Sequence, residues 1–263
     1  MDTQSLFSLK GRTALITGGS RGVGLMIAKG FIAQGAKVYI SSRKGEACDA
    51  AATELGDNCV ALPMDVSTTE GCRALAEAYA LHEKKLDILV NNAGAIWNAP
   101  FDEFPEHGWD KVMDLNVKSP FFLTQSLVTA LKAAACPNKP SKVINIGSID
   151  GLRLTAWETY SYQASKAAIV NLTKRLAATL ITDQINVPAI CPGAFPSDMN
   201  PAARAQGNDL VQTIPNRRIG HDEDMAAAAI YLAARSGDYI VGESITVDGG
   251  LVNASLPESW EPA

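Results

Sequence analysis

Three histidines, five cysteines without a C-x-x-C pair, few aromatics and no long apolar run set the first limits on this 263-residue chain. His82, His107 and His221 stand far apart with no ligand spacing, which predicts surface or loop residues and no metal site. Cys48, Cys59, Cys72, Cys136 and Cys191 are scattered and odd in number, which fits reduced thiols in a cytoplasmic protein and not a zinc site. A basic excess is missing as well. The net charge of -5 argues against a nucleic-acid partner, which needs a basic face. The longest apolar stretch, "MAAAAIYLAA" from Met225, is too short to span a bilayer, and "MDTQSLFSLK" lacks the basic-then-apolar layout of a signal peptide. No linker, low-complexity tract or internal repeat divides the chain, so one domain over 1–263 is expected.

What the chain has is 47% hydrophobic residues arranged in short runs. Arg12–Thr17, Ala36–Ser42, Asn58–Asp65, Leu86–Asn92, Lys142–Ser148, Ile185–Cys191 and Ser244–Gly250 read as strands. They are almost continuously apolar, as strands covered on both faces of a parallel sheet must be. Helical stretches lie between them; Ile169, Leu172, Leu176 and Leu180 form one stripe at spacings of 3, 4 and 4. Strand and helix alternating this way predict an α/β fold: a single-domain, doubly wound, mostly parallel seven-stranded sheet with helices on both faces. Pro188 disturbs the sixth run. It cannot donate a ladder hydrogen bond, so either the strand ends early or Pro188 lies where the missing donor is harmless.

After the first run comes "LITGGSRGVG", residues 15–24, which does not fit G-x-G-x-x-G in any register. A glycine-rich turn between strand and helix nevertheless offers backbone N–H groups and the helix dipole to a phosphate. Gly18, Gly22 and Gly24, with Gly19 beside them, exceed what a bare turn needs. Tyr162 and Lys166 are four apart, so one helix face carries both. A neighbouring ammonium favours the phenolate and is expected to bring the phenol toward the working range of a general acid/base. Tyr160 has no lysine four residues on.

In T-G-x-x-x-G-x-G spacing, Thr17, Gly18, Gly22 and Gly24 resemble the cofactor turn of the short-chain dehydrogenase/reductase family. The family's other marks follow in order: Asp65-Val66, "NNAG" at Asn91–Gly94, Asn116, Ser148, Tyr162 with Lys166, Pro192-Gly193, and "VDGG" at Val247–Gly250. The resemblance spans about residues 8–251. Within the family the chain looks closest to 3-oxoacyl reductases, including the type associated with rhamnolipid synthesis, on stretches such as "KVINIGS".

The resemblance implies a Rossmann-type oxidoreductase that reduces a ketone to an alcohol with NADP(H). Ser148 would hold the substrate oxygen, Tyr162 supply the proton, Lys166 bond the nicotinamide ribose, and Asn116 support a proton-relaying water. The cofactor would lie against Gly18, Ser20, Arg21, Gly22, Val23 and Gly24 of the turn. Asp65 and Val66 would meet the adenine, with Asn92, Ala93, Gly94, Pro192, Gly193 and Phe195 completing the site. Ser197, where the family usually has threonine, could bond the carboxamide. Ser42 stands where NAD-preferring relatives carry an acid, and Arg21 and Arg43 would flank a 2′-phosphate. Residues 194–214 would form the substrate lid, with "NPAARAQGND" as its mobile part. Trp97, Asp150, Leu152, Trp157 and Met199 are the pocket candidates, with Phe195 beside them; any of the apolar ones could equally be core filler or an intersubunit contact, the pocket being favoured for Trp97 and Trp157. Pro188 replaces the family's sixth-strand asparagine.

Lys139 and Lys142 could meet an acidic carrier partner, although Asp183 dilutes that patch. The remaining expectations are a small carbonyl or alcohol substrate and a homotetramer, with a dimer second. Two rivals stay open: an oxidative dehydrogenase of a sugar, polyol, steroid or aromatic alcohol, and a non-catalytic nucleotide sensor on the same fold.

Overall fold

The computed structural model describes residues 2–200, 203, 205 and 208–255. A short helix α1 (Thr3–Phe7) leads into β1 (Thr13–Thr17), α2 (Gly22–Ala33), β2 (Lys37–Ser41), α3 (Gly45–Leu55), β3 (Cys59–Ala61), α4 (Thr69–His82) and β4 (Ile88–Asn91). The second half runs α5 (Glu106–Met113), α6 (Ser119–Ala134), β5 (Ser141–Ile146), α7 (Tyr160–Leu180), β6 (Ile185–Asn186) and β7 (Ala189–Pro192). It closes with α8 (Asn208–Thr213), α9 (Asp222–Ala233) and β8 (Ser244–Val247). All strand pairs are parallel, in the order β3-β2-β1-β4-β5-β7-β8, with β6 also pairing β5. Among the described residues no helix is long and apolar enough to cross a membrane.

The continuous apolar runs are explained by two cores. In β1, Ala14 and Ile16 point into one and Leu15 into the other; in β4, Ile88 and Val90 face one and Leu89 the other. Successive side chains of a strand alternate faces, so a strand between two helical layers needs an apolar residue at every position. α2 and α9 cover the first face through Ile27, Phe31, Ala229 and Leu232, and α4, α6 and α7 the second through Leu75, Leu127 and Leu176. Each fully buried aliphatic side chain contributes about 1.5–3 kcal/mol. The α7 stripe faces inward as expected: Ile169, Leu176 and Leu180 are buried and Leu172 packs beside them.

Pro188 interrupts the sixth strand without changing its frame. β5 pairs Ser141 with Ile185 and Lys142 with Asn186, then Asn145 with Ala189 and Ile146 with Ile190. The same offset holds on both sides of Val187 and Pro188, so β6 and β7 occupy one strand position. The Pro188 carbonyl still accepts from Asn145 N at 3.1 Å, and the Val187 carbonyl from Gly242 N at 3.1 Å. The proline removes a donor only where the ladder is already broken.

The basic patch expected around Lys139 and Lys142 does not form. Lys142 is fully buried, its Nζ 2.8 Å from Asp238 Oδ1 and donating to the Gly237 carbonyl at 3.0 Å. Lys139 pairs with Asp87, and Asp183 pairs with Lys132 at 2.9 Å. A lysine on an interior strand is consumed by its own fold.

α5 and α6 are joined without a break by a π-helical turn, Asp114–Lys118. Such turns hold one extra residue, and here the turn carries the buried Asn116.

Candidate active site

The carboxyl ends of β1 and β4 meet where the strand order reverses, the place where open α/β sheets leave a crevice. Thr17, ending β1, ties the two together. Its Oγ1 accepts from Asn92 N and Ala93 N, both at 3.0 Å, while Asn92 Nδ2 donates back to the carbonyls of Thr17 at 2.9 Å and Gly18 at 3.2 Å. Gly18, with φ +66°, starts the turn in a conformation that favours glycine. A Cβ at Gly24 would lie 2.4 Å from the Gly18 carbonyl oxygen and 2.5 Å from Asn92 Nδ2. Gly24 thus makes room for the turn rather than for a ligand. The turn empties directly into the N-terminus of α2, whose capping residue Arg21 makes no side-chain cap bond.

Two adjoining lobes open above these strand ends. One, of about 300 Å³, is lined by Gly18, Ser20, Arg21, Gly22 and Val23 of the turn, by Ser42 and Arg43 after β2, by Asp65 and Val66, by Asn92, Ala93 and Gly94, and by Ser197. The other, of about 400 Å³, holds Ser148, Asp150, Trp157, Tyr162, Lys166, Pro192, Gly193, Phe195 and Met199. Val23, Asn92, Ser197 and Met199 line both, so the lobes form one cleft. Nearly every residue expected at the site is brought together here.

The first lobe fits a phosphorylated dinucleotide. Arg21, Arg43 and Lys44 supply cations, and no carboxylate stands at position 42. Its floor carries an orphaned buried hydroxyl, Ser41 Oγ. Arg21 also pairs with Asp198, an exposed contact between the turn and the segment after β7.

In the second lobe α7 places Tyr162 and Lys166 on one face, with Lys166 Nζ 5.5 Å from the phenol ring centroid. Burial pushes the Tyr162 phenol up to about 12, against the pull of its hydrogen bond with Ser148, and burial brings Lys166 down to about 8. The expected lowering of the phenol by Lys166 is therefore reversed. Desolvation sets this shift, with Asp150 adding to it, and Lys166 Nζ donates to the Ile146 carbonyl at 2.8 Å. Ser148 caps the 3-10 turn Ile149–Gly151, accepting from Asp150 N at 3.1 Å. Burial raises the Asp150 carboxyl, with Lys166 and Arg153 opposing.

Four expected residues do not line the cleft. Gly24 lies beneath the turn. Asn116 sits behind the wall: Oδ1 accepts from Ala95 N at 2.8 Å, and Nδ2 donates to the Ala95 carbonyl and to Ser165 Oγ, both at 2.9 Å. Ser165 Oγ in turn donates to the Tyr162 carbonyl at 2.7 Å, so Asn116 fixes the loop after β4 against the helix bearing Tyr162. Trp97 packs on α5, 5.0 Å from the His107 ring and with Lys111 Nζ 5.1 Å from its own. A Cβ on Gly108 would come within 2.7 Å of it. Leu152 stands 41% exposed at the end of the 3-10 turn.

Residues that the motifs did not flag also line the substrate side, among them Ile96, Arg153, Leu210 and Leu251. Only Arg153 carried a usable signal, as a cation five residues after Ser148 in the loop leading to Tyr162. Of the segment expected to form the lid, α8 is described, while Pro201, Ala202, Arg204, Gln206 and Gly207 lie outside the described residues.

Comparison with known proteins agrees with this geometry. The family model described as short chain dehydrogenase matches residues 12–208. The rhamnolipids biosynthesis 3-oxoacyl-[acyl-carrier-protein] reductase of Pseudomonas aeruginosa is 46% identical over 252 residues, covering 93% of this chain and 97% of that protein. A solved RhlG/NADP active-site complex from the same organism superposes with a TM-score of 0.91 at 45% identity, covering 94% of this chain and 98% of that one. A gluconate 5-dehydrogenase from Burkholderia cenocepacia, in complex with NADP and tartrate, gives a TM-score of 0.87 at 32% identity, covering 96% and 99% of the two chains.

Proposed function

Because this chain belongs to the short-chain dehydrogenase family, we propose that it is an NADPH-dependent reductase that converts the ketone of a 3-oxoacyl thioester to the alcohol. The observation that carries this reading is the continuity of the two lobes. Ser148, Tyr162 and Lys166 face the same cleft as the phosphate-binding set Arg21, Ser42 and Arg43.

The glycine turn and the α2 N-terminus would hold the pyrophosphate, Arg21 and Arg43 the 2′-phosphate, and Lys166 and Ser197 the nicotinamide end. When bound, NADPH supplies a hydride to the carbonyl carbon. The protein's part is to hold the oxygen and deliver a proton to it. Ser148 donates to the ketone oxygen, and Tyr162, protonated at neutral pH, gives up its phenolic proton as negative charge develops there. A phenol held this high carries its proton at neutral pH, as reduction requires, and gives it up only as negative charge grows on the substrate oxygen. Lys166 lies beside the ring to stabilise the phenolate left behind. Asn116 is a positioning residue, acting through Ala95 and Ser165.

The substrate side favours an acyl chain. Ile96, Ile149, Trp157, Phe195, Leu210 and Leu251 give it a largely apolar wall. The likeness to gluconate 5-dehydrogenase supports oxidation of a sugar acid as the second reading. A panel of 3-oxoacyl thioesters, simple ketones and, run oxidatively, gluconate, followed by NADPH or NADP+ absorbance, tests both. Strongest turnover on thioesters supports the first; turnover on gluconate alone sinks it.

The assembly we infer is a homotetramer built by closed symmetry, with a dimer second. Phe101, Trp109, Phe121 and Tyr160 are exposed large side chains on or beside α5, α6 and α7, and covering them between subunits explains their presence. Light scattering that gave a single 27.8 kDa species at micromolar concentration would overturn it. The five free cysteines support a cytoplasmic location.

A further inference from the structure

Arg153 has no part in the chemistry above, yet it lies on the wall of the catalytic lobe among mostly apolar neighbours. It is half-buried, and its guanidinium is only partly engaged: Nη1 donates to the Leu251 carbonyl at 2.5 Å and Nε to the Leu154 carbonyl at 3.5 Å. A guanidinium has five N–H donors in a fixed fork, so donors remain for a ligand in the cleft. Apolar surface beside such a donor strengthens the bond it makes once a ligand covers it.

The charges around it define what it would accept. Asp150 and Lys166 line the same lobe, and both Lys166 and Arg153 act on the Asp150 carboxyl. Lys166 donates to the Ile146 carbonyl and, in the reading above, serves Tyr162 and the nicotinamide end. Asp150 offsets the charge of Arg153, so a full carboxylate entering the lobe meets an acid as well as a base. A neutral carbonyl oxygen accepts from the unused N–H groups without carrying a full charge for Asp150 to repel.

We propose that Arg153 is a substrate-specificity residue that hydrogen-bonds a second, neutral carbonyl of the substrate while Ser148 and Tyr162 hold the ketone being reduced. The substrate class is then a 1,3-dicarbonyl compound, a 3-oxo thioester or ester, in preference to a simple ketone or a free 3-oxo acid. This deepens the thioester reading and rests on it. It also gives the Leu251 contact a purpose, since that bond fixes one edge of the fork and so aims the rest.

The test compares kcat/KM for acetoacetyl-N-acetylcysteamine, 2-pentanone and acetoacetate in the parent, Arg153→Ala and Arg153→Lys. The parent should prefer the thioester over both others. Arg153→Ala should cut the thioester-to-pentanone ratio about 10- to 100-fold, the size of one charged hydrogen bond, mostly through KM. Arg153→Lys, which keeps the charge but not the fork, should recover only part of it. A parent with no thioester preference refutes the thioester reading itself. A parent preference that survives in Arg153→Ala, or a parallel fall on both substrates, refutes the role of Arg153 and leaves it a tie to Leu251.

Discussion

Adding a single methyl at Gly24 tests how the cofactor turn is built. The backbone of Gly24 is ordinary helix, with no positive φ, so alanine there would normally be favoured by about 1 kcal/mol. Steric contact reverses that. The new Cβ would sit 2.4 Å from the Gly18 carbonyl oxygen and 2.5 Å from Asn92 Nδ2. Neither can yield cheaply, because the first is backbone and the second already donates to the carbonyls of Thr17 and Gly18. Losing those two bonds costs about 1–3 kcal/mol. Forcing a methyl into a packed interior costs about 1–3 kcal/mol more. Net of the helical gain, Gly24→Ala should destabilise the protein by about 3 kcal/mol, or about 6–12 °C in Tm for a chain of this size. Binding of NADP+ should weaken with it, because the carbonyls of Thr17 and Gly18 shape the turn. Gly45→Ala is the control. Its Cβ meets nothing closer than Pro63 at 3.8 Å, so it should be neutral or stabilising by about 0.5–1 kcal/mol. Calorimetry that found Gly24→Ala within a degree of the parent, with unchanged NADP+ affinity by titration, would refute this account of the turn.

Three further outcomes are expected. Tyr162→Phe removes the proton donor alone, so turnover should fall by about 10²–10⁴ while NADPH still binds; near-normal turnover would assign the acid elsewhere. Ser42→Asp with Arg43→Leu should lower NADPH efficiency strongly and raise use of NADH, by about 10²-fold in their ratio if both arginines read the phosphate; an unchanged ratio would dismiss them. Lys166, held at about 8 against an ordinary 10.5, carries a charge its buried site resists. Below pH 8 folded and unfolded chains are both protonated and the fold bears the full penalty. Between pH 8 and 10.5 the unfolded chain binds more protons, so the Lys166 contribution to stability rises with pH. Lys166→Met should accordingly be more stable than the parent at pH 7, by about 3 kcal/mol at most, with the gap closing toward pH 10 in denaturant titrations. A gap independent of pH would mean that Lys166 is not desolvated.

Much of this fold and site is legible in the sequence. The apolar runs of β1, β4 and β5 mark buried parallel strands because both of their faces are covered, and the glycine spacing marks the turn because its backbone must approach β4. Tyr162 and Lys166 were legible as a pair since four residues make one helical turn. Other features depend on tertiary partners that no local pattern reveals. The side-chain amide of Asn116 is spent on Ala95 and Ser165, far along the chain. Trp97 leaves the cleft because Gly108 opens a seat for it on α5. Lys142 reads as a surface charge until Asp238 is seen folded against it. The upward shift of Tyr162 likewise comes from burial, which only the assembled fold supplies.

The π-helical turn at Asp114–Lys118 sets a rule for how this stretch of the gene can change length. One turn holds one residue more than its neighbours, so deleting a residue there would restore ordinary helical spacing and improve the local backbone. The same deletion would leave α5 and α6 in nearly their present relative rotation, because a π-helical turn absorbs its extra residue by widening. Val112, fully buried, would stay on the core, but Asn116, inside the turn, would lose its line to Ala95. A one-residue deletion within Asp114–Lys118 is thus incompatible with an intact catalytic wall, even though the helices on either side would keep their packing. Length at this point is as much a part of the site as the identity of Asn116.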